Sequence, residues 1–159
     1  MRKYGWIKNE FHCRCGKIIA PNLRGVIPFA IVTEHIKTCQ PHKTAQDVEK
    51  FMEGYIDAML WSSTDDDDTP LSNYLSASDI SDSAMQQILD DCTKFWISNM
   101  QEIPCVPAQA GHDFWLTRQG HGAGFWDGDW PEHGDKLTEA SRAFSELSVS
   151  VEDGKIYLE

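Results

Sequence analysis

The chain has 159 residues, of which 41% are hydrophobic and 11% aromatic, so it can bury a core in one domain or in one small and one larger domain. Its longest apolar run, residues 26–32, contains Pro28 and is far shorter than the roughly 20 residues needed to span a membrane. The N-terminus lacks the apolar segment of a secretory signal, so we expect a cytoplasmic protein with reduced cysteines.

Charge is divided unevenly along the chain. The net charge is −11, but residues 1–43 carry eight Lys or Arg and two Asp or Glu, a balance of +6, whereas residues 44–159 carry six and 23, a balance of −17. A field of that size governs solubility and the choice of partner rather than the fold. The change of sign predicts two domains, a basic metal-binding module over 1–43 and an acidic α+β domain over 44–159.

The basic module contains two pairs of soft metal ligands. Cys13 and Cys15 lie two residues apart in a predicted turn, which a short strand at 17–19 follows. His35 and Cys39 lie four apart on one face of a predicted helix. Three thiolates and one imidazole suit a closed tetrahedral zinc site, in which no position remains open for chemistry. The sequence therefore predicts a structural zinc ion bound by Cys13, Cys15, His35 and Cys39.

The match to a zinc finger is incomplete. The first pair is Cys-x-Cys rather than Cys-x-x-Cys, and the 19 residues between the pairs exceed the usual spacer of about twelve. His12 and His42 are alternative fourth ligands, and buried thiols beside a surface histidine are the alternative without a metal. Direct nucleic-acid binding by this module is a further alternative, because its cations are interleaved with aromatic residues. These residues are Arg2, Lys3, Tyr4, Trp6, Lys8, Phe11, Arg14, Lys17 and Arg24.

The acidic domain begins with two predicted helices. A capping-box pattern at 44–47 starts the first, which ends near residues 61–63, and Ser81 starts the second, which runs to about residue 100. Between them, four adjacent aspartates at 65–68 predict an exposed loop, because such a run of carboxylates cannot be buried. The predicted buried face of the first helix has Val48, Met52, Tyr55 or Ile56, and Met59. That of the second has Ile88, Cys92, Phe95 or Trp96, and Asn99 or Met100.

The last third of the chain predicts a hairpin, a helix and a second hairpin. Residues 112–127 place a Gly-rich turn between two short runs with aromatic side chains, which indicates strand, turn and strand. Pro131 opens a helix through about residue 147, and residues 149–158 form a hairpin that turns at 152–154. The fold prediction is α+β: a small N-terminal zinc-finger-like module followed by two helices, a β-hairpin, a helix and a C-terminal β-hairpin.

Catalytic patterns are incomplete. The GHGAG sequence at 120–124 lacks the lysine of a phosphate-binding loop, and no G-x-S-x-G nucleophile elbow is present. Glycines that relieve crowding in a tight turn explain the sequence more simply. His112, Arg118, His121 and Asp127 are candidates for a metal-dependent hydrolase or nucleotide-acting enzyme, provided that they line one pocket. A catalytic role is therefore the alternative rather than the first expectation.

One long stretch carries a family resemblance. GHDFWLTRQGHGAGFWDGDWPEHGDKLTEAS, with YIDAMLWSSTDDD upstream and DGKIY near the C-terminus, resembles a family of small proteins of tailed phages and related mobile elements. The resemblance spans about residues 52–157 and centres on the FWLTR-x-GHGAGFWD core. It implies expression inside an infected bacterial cell and implies no particular activity.

Dense carboxylates on the predicted helices favour a protein that acts by binding. Such surfaces attract basic, nucleic-acid-binding proteins at electrostatically steered rates. The sequence therefore predicts a phage-encoded accessory protein that binds a host or defence protein through an acidic surface resembling a nucleic-acid backbone. The helical carboxylates are Asp47, Glu49, Glu53, Asp57, Asp90 and Asp91.

Overall fold

A computed structural model describes residues 45–103 and 106–159, together with the backbone of residues 4–7, 10–13 and 18–20. Strands β1 (Tyr4–Ile7), β2 (Glu10–Cys13) and β3 (Ile18–Ala20) form an antiparallel sheet in that order. Strand β3 confirms the predicted short strand after the cysteine pair. Cys15, His35, Cys39 and the side chain of Cys13 lie outside the described residues, so the zinc site stays a prediction.

Two long helices begin the acidic part of the chain and match their predicted bounds. Helix α1 spans Ala45–Ser62 and helix α2 spans Asp82–Asn99. The hydroxyl of Ser81 caps α2, since its oxygen accepts a hydrogen bond from the Ala84 amide at 3.3 Å. Between the helices, two short 3₁₀ turns at Leu71–Asn73 and Ala77–Asp79 follow the aspartate loop.

The hairpin predicted over residues 112–127 is wrong, because residues 112–118 belong to a helix and residues 119–127 form a loop without a strand. Helix α3 spans Pro107–Arg118, with Pro107 at its first position. Eight of its twelve residues are buried, among them Asp113 and Arg118, so the helix has no solvent-facing stripe. The usual helical alternation of polar and apolar faces is therefore absent from this sequence, and its aromatic residues favoured a strand assignment.

Helices α1 and α3 approach each other at a pair of glycines. A Cβ placed on Gly54 would lie 1.8 Å from the carbonyl oxygen of Ala108, and one on Gly111 would lie 1.8 Å from the carbonyl oxygen of Phe51. No side chain fits at either position, so the two backbones touch directly. This contact sets the spacing of the two helices at the centre of the fold.

The helix predicted from Pro131 to about residue 147 is shorter than expected. Helix α4 spans Gly134–Arg142. Beyond it, the backbone of residues 145–147 bonds to side chains instead of continuing a helix: the Ser145 carbonyl accepts from Arg118 Nε at 3.1 Å and Nη2 at 2.7 Å. The Leu147 amide and carbonyl each bond to the side-chain amide of Gln119 at 2.8 Å. Tertiary partners therefore end this helix early.

The C-terminal hairpin is confirmed. Strands β4 (Val149–Glu152) and β5 (Lys155–Leu158) pair antiparallel in the register Val149↔Leu158 through Glu152↔Lys155. The two turn residues, Asp153 and Gly154, have φ of 49° and 73°, the left-handed values that a tight hairpin turn with right-handed twist requires. Ile156 docks the hairpin beside the start of α2, where its carbonyl accepts from the Ser81 amide at 2.9 Å.

An aromatic cluster forms the core between α1, α2, α3 and the segment after α3. The rings of Phe95 and Phe114 stack with centroids 4.1 Å apart, and Phe51 and Phe125 lie 5.7 Å and 5.8 Å from Phe95. All four side chains are buried. The described part of the chain is therefore α+β, with four α-helices around this core and an antiparallel hairpin at the C-terminus.

Candidate functional site

An open groove runs along the outward face of α1. Val48, Met52 and Ile56 follow one another at four-residue intervals along the helix, and Leu89 of α2 lies across from them. The groove has a volume of about 470 Å³ and its floor is apolar. Val48 and Met52 were predicted as core residues, yet both are only half-buried, and Leu89 is 41% exposed. Part of the apolar surface of Val48, Met52 and Leu89 thus faces solvent here, whereas Ile56 is buried.

A row of carboxylates borders the groove. Glu49, Glu53 and Asp57 lie one residue beyond each member of the apolar row, and all three are exposed. Glu49 and Glu53 line the groove itself. Within the described chain none of the three forms a salt bridge or side-chain hydrogen bond. Like charges four residues apart on a helix repel each other by about 0.2–0.5 kcal/mol per pair, so this row slightly destabilises α1.

The two helices together are strongly acidic. They contain seven carboxylates and only two lysines, Lys50 and Lys94, a net charge of −5. One of the carboxylates, Asp91, is neutralised by Arg118 at 3.0 Å. Outward-facing carboxylates without nearby cations project a negative potential that attracts basic surfaces.

The acidic loop between the helices is exposed, as predicted. Asp66, Asp67 and Asp68 face solvent, whereas Asp65 folds the loop by accepting from the amides of Asp67 and Thr69 at 2.9 Å each. These backbone bonds, first that of Thr69, and a hydrogen bond from the Tyr74 hydroxyl hold the pKa of Asp65 below its usual range. The loop therefore adds three further solvent-facing carboxylates after the C-terminal end of α1.

His112, the first catalytic candidate, is held by a buried carboxylate. Its Nδ1 lies 3.0 Å from Oδ1 of Asp113, a side chain only 5% exposed, and the Trp61 indole nitrogen lies 3.4 Å from its Nε2. Asp113 also accepts from Gln109 at 2.9 Å and 3.1 Å and from the Trp130 indole at 2.6 Å. This buried charge is satisfied by hydrogen bonds and ties α3 to the loop before α4.

The contacts of Arg118, the second catalytic candidate, indicate a structural role. Only 5% of the residue is exposed, and all three guanidinium nitrogens donate: Nη1 to Tyr55 Oη at 2.9 Å and Asp91 Oδ2 at 3.0 Å, and Nε and Nη2 to the Ser145 carbonyl. Burial raises the pKa of the Tyr55 phenol although Arg118 acts to lower it, so the phenol stays neutral and available as the acceptor. These bonds engage each nitrogen of the guanidinium within the protein's own fold.

His121 and Asp127 lie in the segment between α3 and α4, which is a loop rather than the second half of a hairpin. The His121 amide bonds to the Leu116 carbonyl at 3.0 Å, and the Asp127 carboxylate accepts from the Gly124 amide at 3.2 Å. Among the described contacts none joins His112, Arg118, His121 and Asp127 to one another. Each of the four instead makes its own local contact.

The glycines of this loop allow either a positive φ or a close approach to α3. Gly120 and Gly124 have φ of 67° and 148°, and a Cβ on Gly124 would lie 2.3 Å from the Thr117 hydroxyl. That hydroxyl accepts from the Phe125 amide at 3.0 Å, which fixes the loop against α3. Gly122 has open space around it. The expectation that glycines here meet a positive φ or a close backbone approach is confirmed for Gly120, which has a positive φ, and for Gly124, which has both. They lie in a loop between two helices rather than in a hairpin.

Cys92 is the one cysteine whose side chain the described residues include. It is fully buried on α2, as its place in the predicted apolar stripe indicated. Burial and the nearby Asp91 raise the pKa of its thiol, which therefore stays protonated and unreactive at neutral pH. Across residues 45–103 and 106–159, no group of three or more His, Cys, Asp or Glu side chains is arranged to hold a metal ion.

Sequence reasoning missed two features of this surface. It assigned Val48 and Met52 to the core, although both are only half-buried, and it did not single out Leu89. The sequence did contain a signal for this surface: the like-charged row at 49, 53 and 57 lies directly beside the apolar row. A helix face that only contacts solvent does not require this arrangement. It also did not identify Asp113 as the buried centre of a hydrogen-bond network.

Comparison of the chain with protein-family models, with curated proteins and with solved structures found no match. None of the helices in the described residues has the length and apolar character needed to cross a membrane.

Proposed function

We propose that this protein acts by binding, and that the acidic face of α1 and α2 engages a basic surface on a bacterial host or defence protein. The surface of that partner would be one that normally contacts nucleic acid. Carboxylates spaced along a helix present negative charge much as the phosphates of a nucleic-acid backbone do. The proposed setting is the cytoplasm of an infected bacterial cell, which the resemblance of residues 52–157 to tailed-phage proteins implies.

The observation that carries the proposal is the row Glu49, Glu53 and Asp57. All three carboxylates are exposed, and within the described chain no cation pairs with them. The row costs the isolated helix a little stability through mutual repulsion. A partner that supplies lysines or arginines removes this repulsion and associates faster through electrostatic steering. The row therefore favours binding of a partner, whereas it does not stabilise the fold.

A zinc ion bound by Cys13, Cys15, His35 and Cys39 is part of the same proposal. Three thiolates and one imidazole would close the coordination shell, and the ion would hold residues 1–43 together rather than catalyse a reaction. This module carries a charge balance of +6, against −17 for the acidic domain. It would act as a basic adaptor attached to that domain. If the module bound nucleic acid directly, a salt-dependent gel shift would be lost on Cys39→Ser.

Affinity capture with a matched pair of charge variants tests the proposal. The full chain is immobilised and exposed to nuclease-treated bacterial lysate at low and at high salt, and bound proteins are identified by mass spectrometry. The row variant Glu49→Gln/Glu53→Gln/Asp57→Asn is compared with a loop variant, Asp66→Asn/Asp67→Asn/Asp68→Asn. Both variants lose three negative charges, and all six positions are exposed.

We expect wild type and the loop variant to retain a basic protein at low salt and release it at high salt, whereas the row variant captures none. The row variant should also unfold at a slightly higher urea concentration than wild type, because two repulsive pairs are removed. Recovery of no basic protein at low salt, or equal loss by both variants, would show that the row is not the binding face.

A further inference from the structure

We propose that the groove of α1 and α2 binds an amphipathic helix of the basic partner. The interface would combine apolar contacts in the groove with ion pairs along its acidic border. This inference rests on the proposed function and specifies the partner's chemistry. The anchors would be two aliphatic side chains on one face of that helix, and lysines or arginines would flank them.

The dimensions of the groove fit such a helix. Val48 and Ile56 lie eight residues apart on α1, which corresponds to about 12 Å along the helix axis. Two turns of a partner helix cover that length, and side chains at positions i and i+4 of the partner fall about 6 Å apart on one face. The groove therefore accommodates two successive anchors from one helix, the usual mode of helix-in-groove recognition.

The protein's own core uses the apolar side chains of the groove only in part. Phe51, Tyr55 and Met59 of α1 are completely buried in the core, and Ile56 of the groove is only 8% exposed. Val48 and Met52 remain half-buried and Leu89 stays 41% exposed. These side chains keep apolar area in water that a bound helix would cover.

Charge complementarity selects the kind of helix. Glu49 and Glu53 line the groove and Asp57 continues their row, so an acidic or neutral amphipathic helix would leave these carboxylates uncompensated or repelled. Partner lysines placed beside the anchors would lie along the carboxylate row. The arrangement thus favours a basic amphipathic helix over a second copy of this acidic chain, which carries a net charge of −11.

A synthetic peptide serves as the probe. It is an alanine-based helix of about 16 residues with leucines at i and i+4 and several lysines, long enough to be partly helical in water. The control peptide has the same composition with leucines at i and i+2, which lie on opposite faces of a helix. Binding of each dye-labelled peptide to the purified full-length chain is measured by fluorescence anisotropy.

Two matched substitutions on α2 locate the site. Leu89→Glu changes a groove residue, and Ile97→Glu changes an exposed aliphatic residue, 62% exposed, that does not line the groove. Both add one negative charge, so attraction by charge alone predicts equal or tighter binding by either variant. We expect Leu89→Glu to weaken binding of the in-phase peptide by at least about tenfold, and Ile97→Glu to leave it within about twofold of wild type.

The outcomes separate this inference from the proposed function. Equal binding of both peptides, or equal binding by both variants, overturns the groove while leaving an acidic binding face intact. In the free full chain, nuclear Overhauser contacts between Leu89 methyls and residues 1–44, or a dimer mass lost on Leu89→Glu, identify a different occupant and also overturn it. In-phase binding that depends on Leu89 supports the groove even if lysate capture yields no partner.

Discussion

Arg118 joins elements that are far apart in the sequence. Its guanidinium bonds to Tyr55 on α1, Asp91 on α2 and the Ser145 carbonyl after α4, and it lies 5.6 Å from the ring centroids of Phe114 and Phe144. A charged side chain 5% exposed is stable here because each nitrogen has an acceptor. The charge of Arg118 therefore stabilises the fold by linking these three elements.

Arg118→Met tests this role. The substitution keeps an apolar stem but leaves the Asp91 carboxylate, the Tyr55 hydroxyl and the Ser145 carbonyl without their donor. We expect the free energy of unfolding to fall by about 3–5 kcal/mol, measured by urea denaturation. Arg142→Met, at an exposed position near the end of α4, should change it by no more than about 0.5 kcal/mol. A change of similar size at both positions would contradict a structural role for Arg118.

At the scale of elements, the fold depends on how α3 fits against α1. Helix α3 is buried on nearly every side, so the contacts that stabilise it come from other elements rather than from an amphipathic pattern of its own. The facing glycines, Gly54 and Gly111, let the backbones touch and bring aromatic side chains from both helices into one cluster. The close approach is therefore a condition for the core.

Gly54→Ala and Gly111→Ala should each destabilise the protein. Alanine is favoured over glycine in a helix by about 1 kcal/mol, but its Cβ would lie 1.8 Å from a backbone carbonyl oxygen of the facing helix. Because no flexible side chain can move aside, the helices must separate, and we expect a net loss of at least about 2 kcal/mol in urea denaturation.

Gly122→Ala is the control for these two substitutions, because its position in the loop has open space and no positive φ. It should be nearly neutral, within about 0.5 kcal/mol of wild type. If the two helical substitutions proved stabilising, as helix propensity alone predicts, the direct backbone contact would be disproved.

At the scale of the whole molecule, the separation of charge is the dominant property. The segment 44–159 carries a balance of −17 and the segment 1–43 a balance of +6. Carboxylates on α1 and in the 65–68 loop face solvent, which keeps their repulsion weak through hydration and salt screening. The same exposure makes them available to a basic partner.

Metal content tests the proposal for the basic segment. We expect purified protein to contain about one zinc ion per chain, measured by inductively coupled plasma mass spectrometry. Cys13→Ser should lose it, because a serine hydroxyl is a poor substitute for a thiolate ligand. Cys92→Ala, at a buried cysteine of α2, should retain full zinc content. Wild-type protein without stoichiometric metal would refute the predicted site.

Local signals in the sequence determined several elements correctly. Ser81 started α2 because its hydroxyl satisfies an amide of the first turn, and Asp153 and Gly154 turned the final hairpin because they tolerate left-handed backbone angles. Adjacent aspartates at 66–68 had to be exposed because their charges cannot be desolvated together. Each of these outcomes depends on neighbours within a few residues.

Tertiary structure alone decided the helical state of 107–118, the burial of Arg118 and the only partial burial of Val48 and Met52. The same apolar row can face a core or form a groove, depending on which element lies opposite, and here Leu89 leaves the space open. A buried arginine requires acceptors from distant segments, and a helix buried on all sides shows no polar stripe. Such outcomes depend on contacts between residues far apart in the chain, which local patterns do not encode.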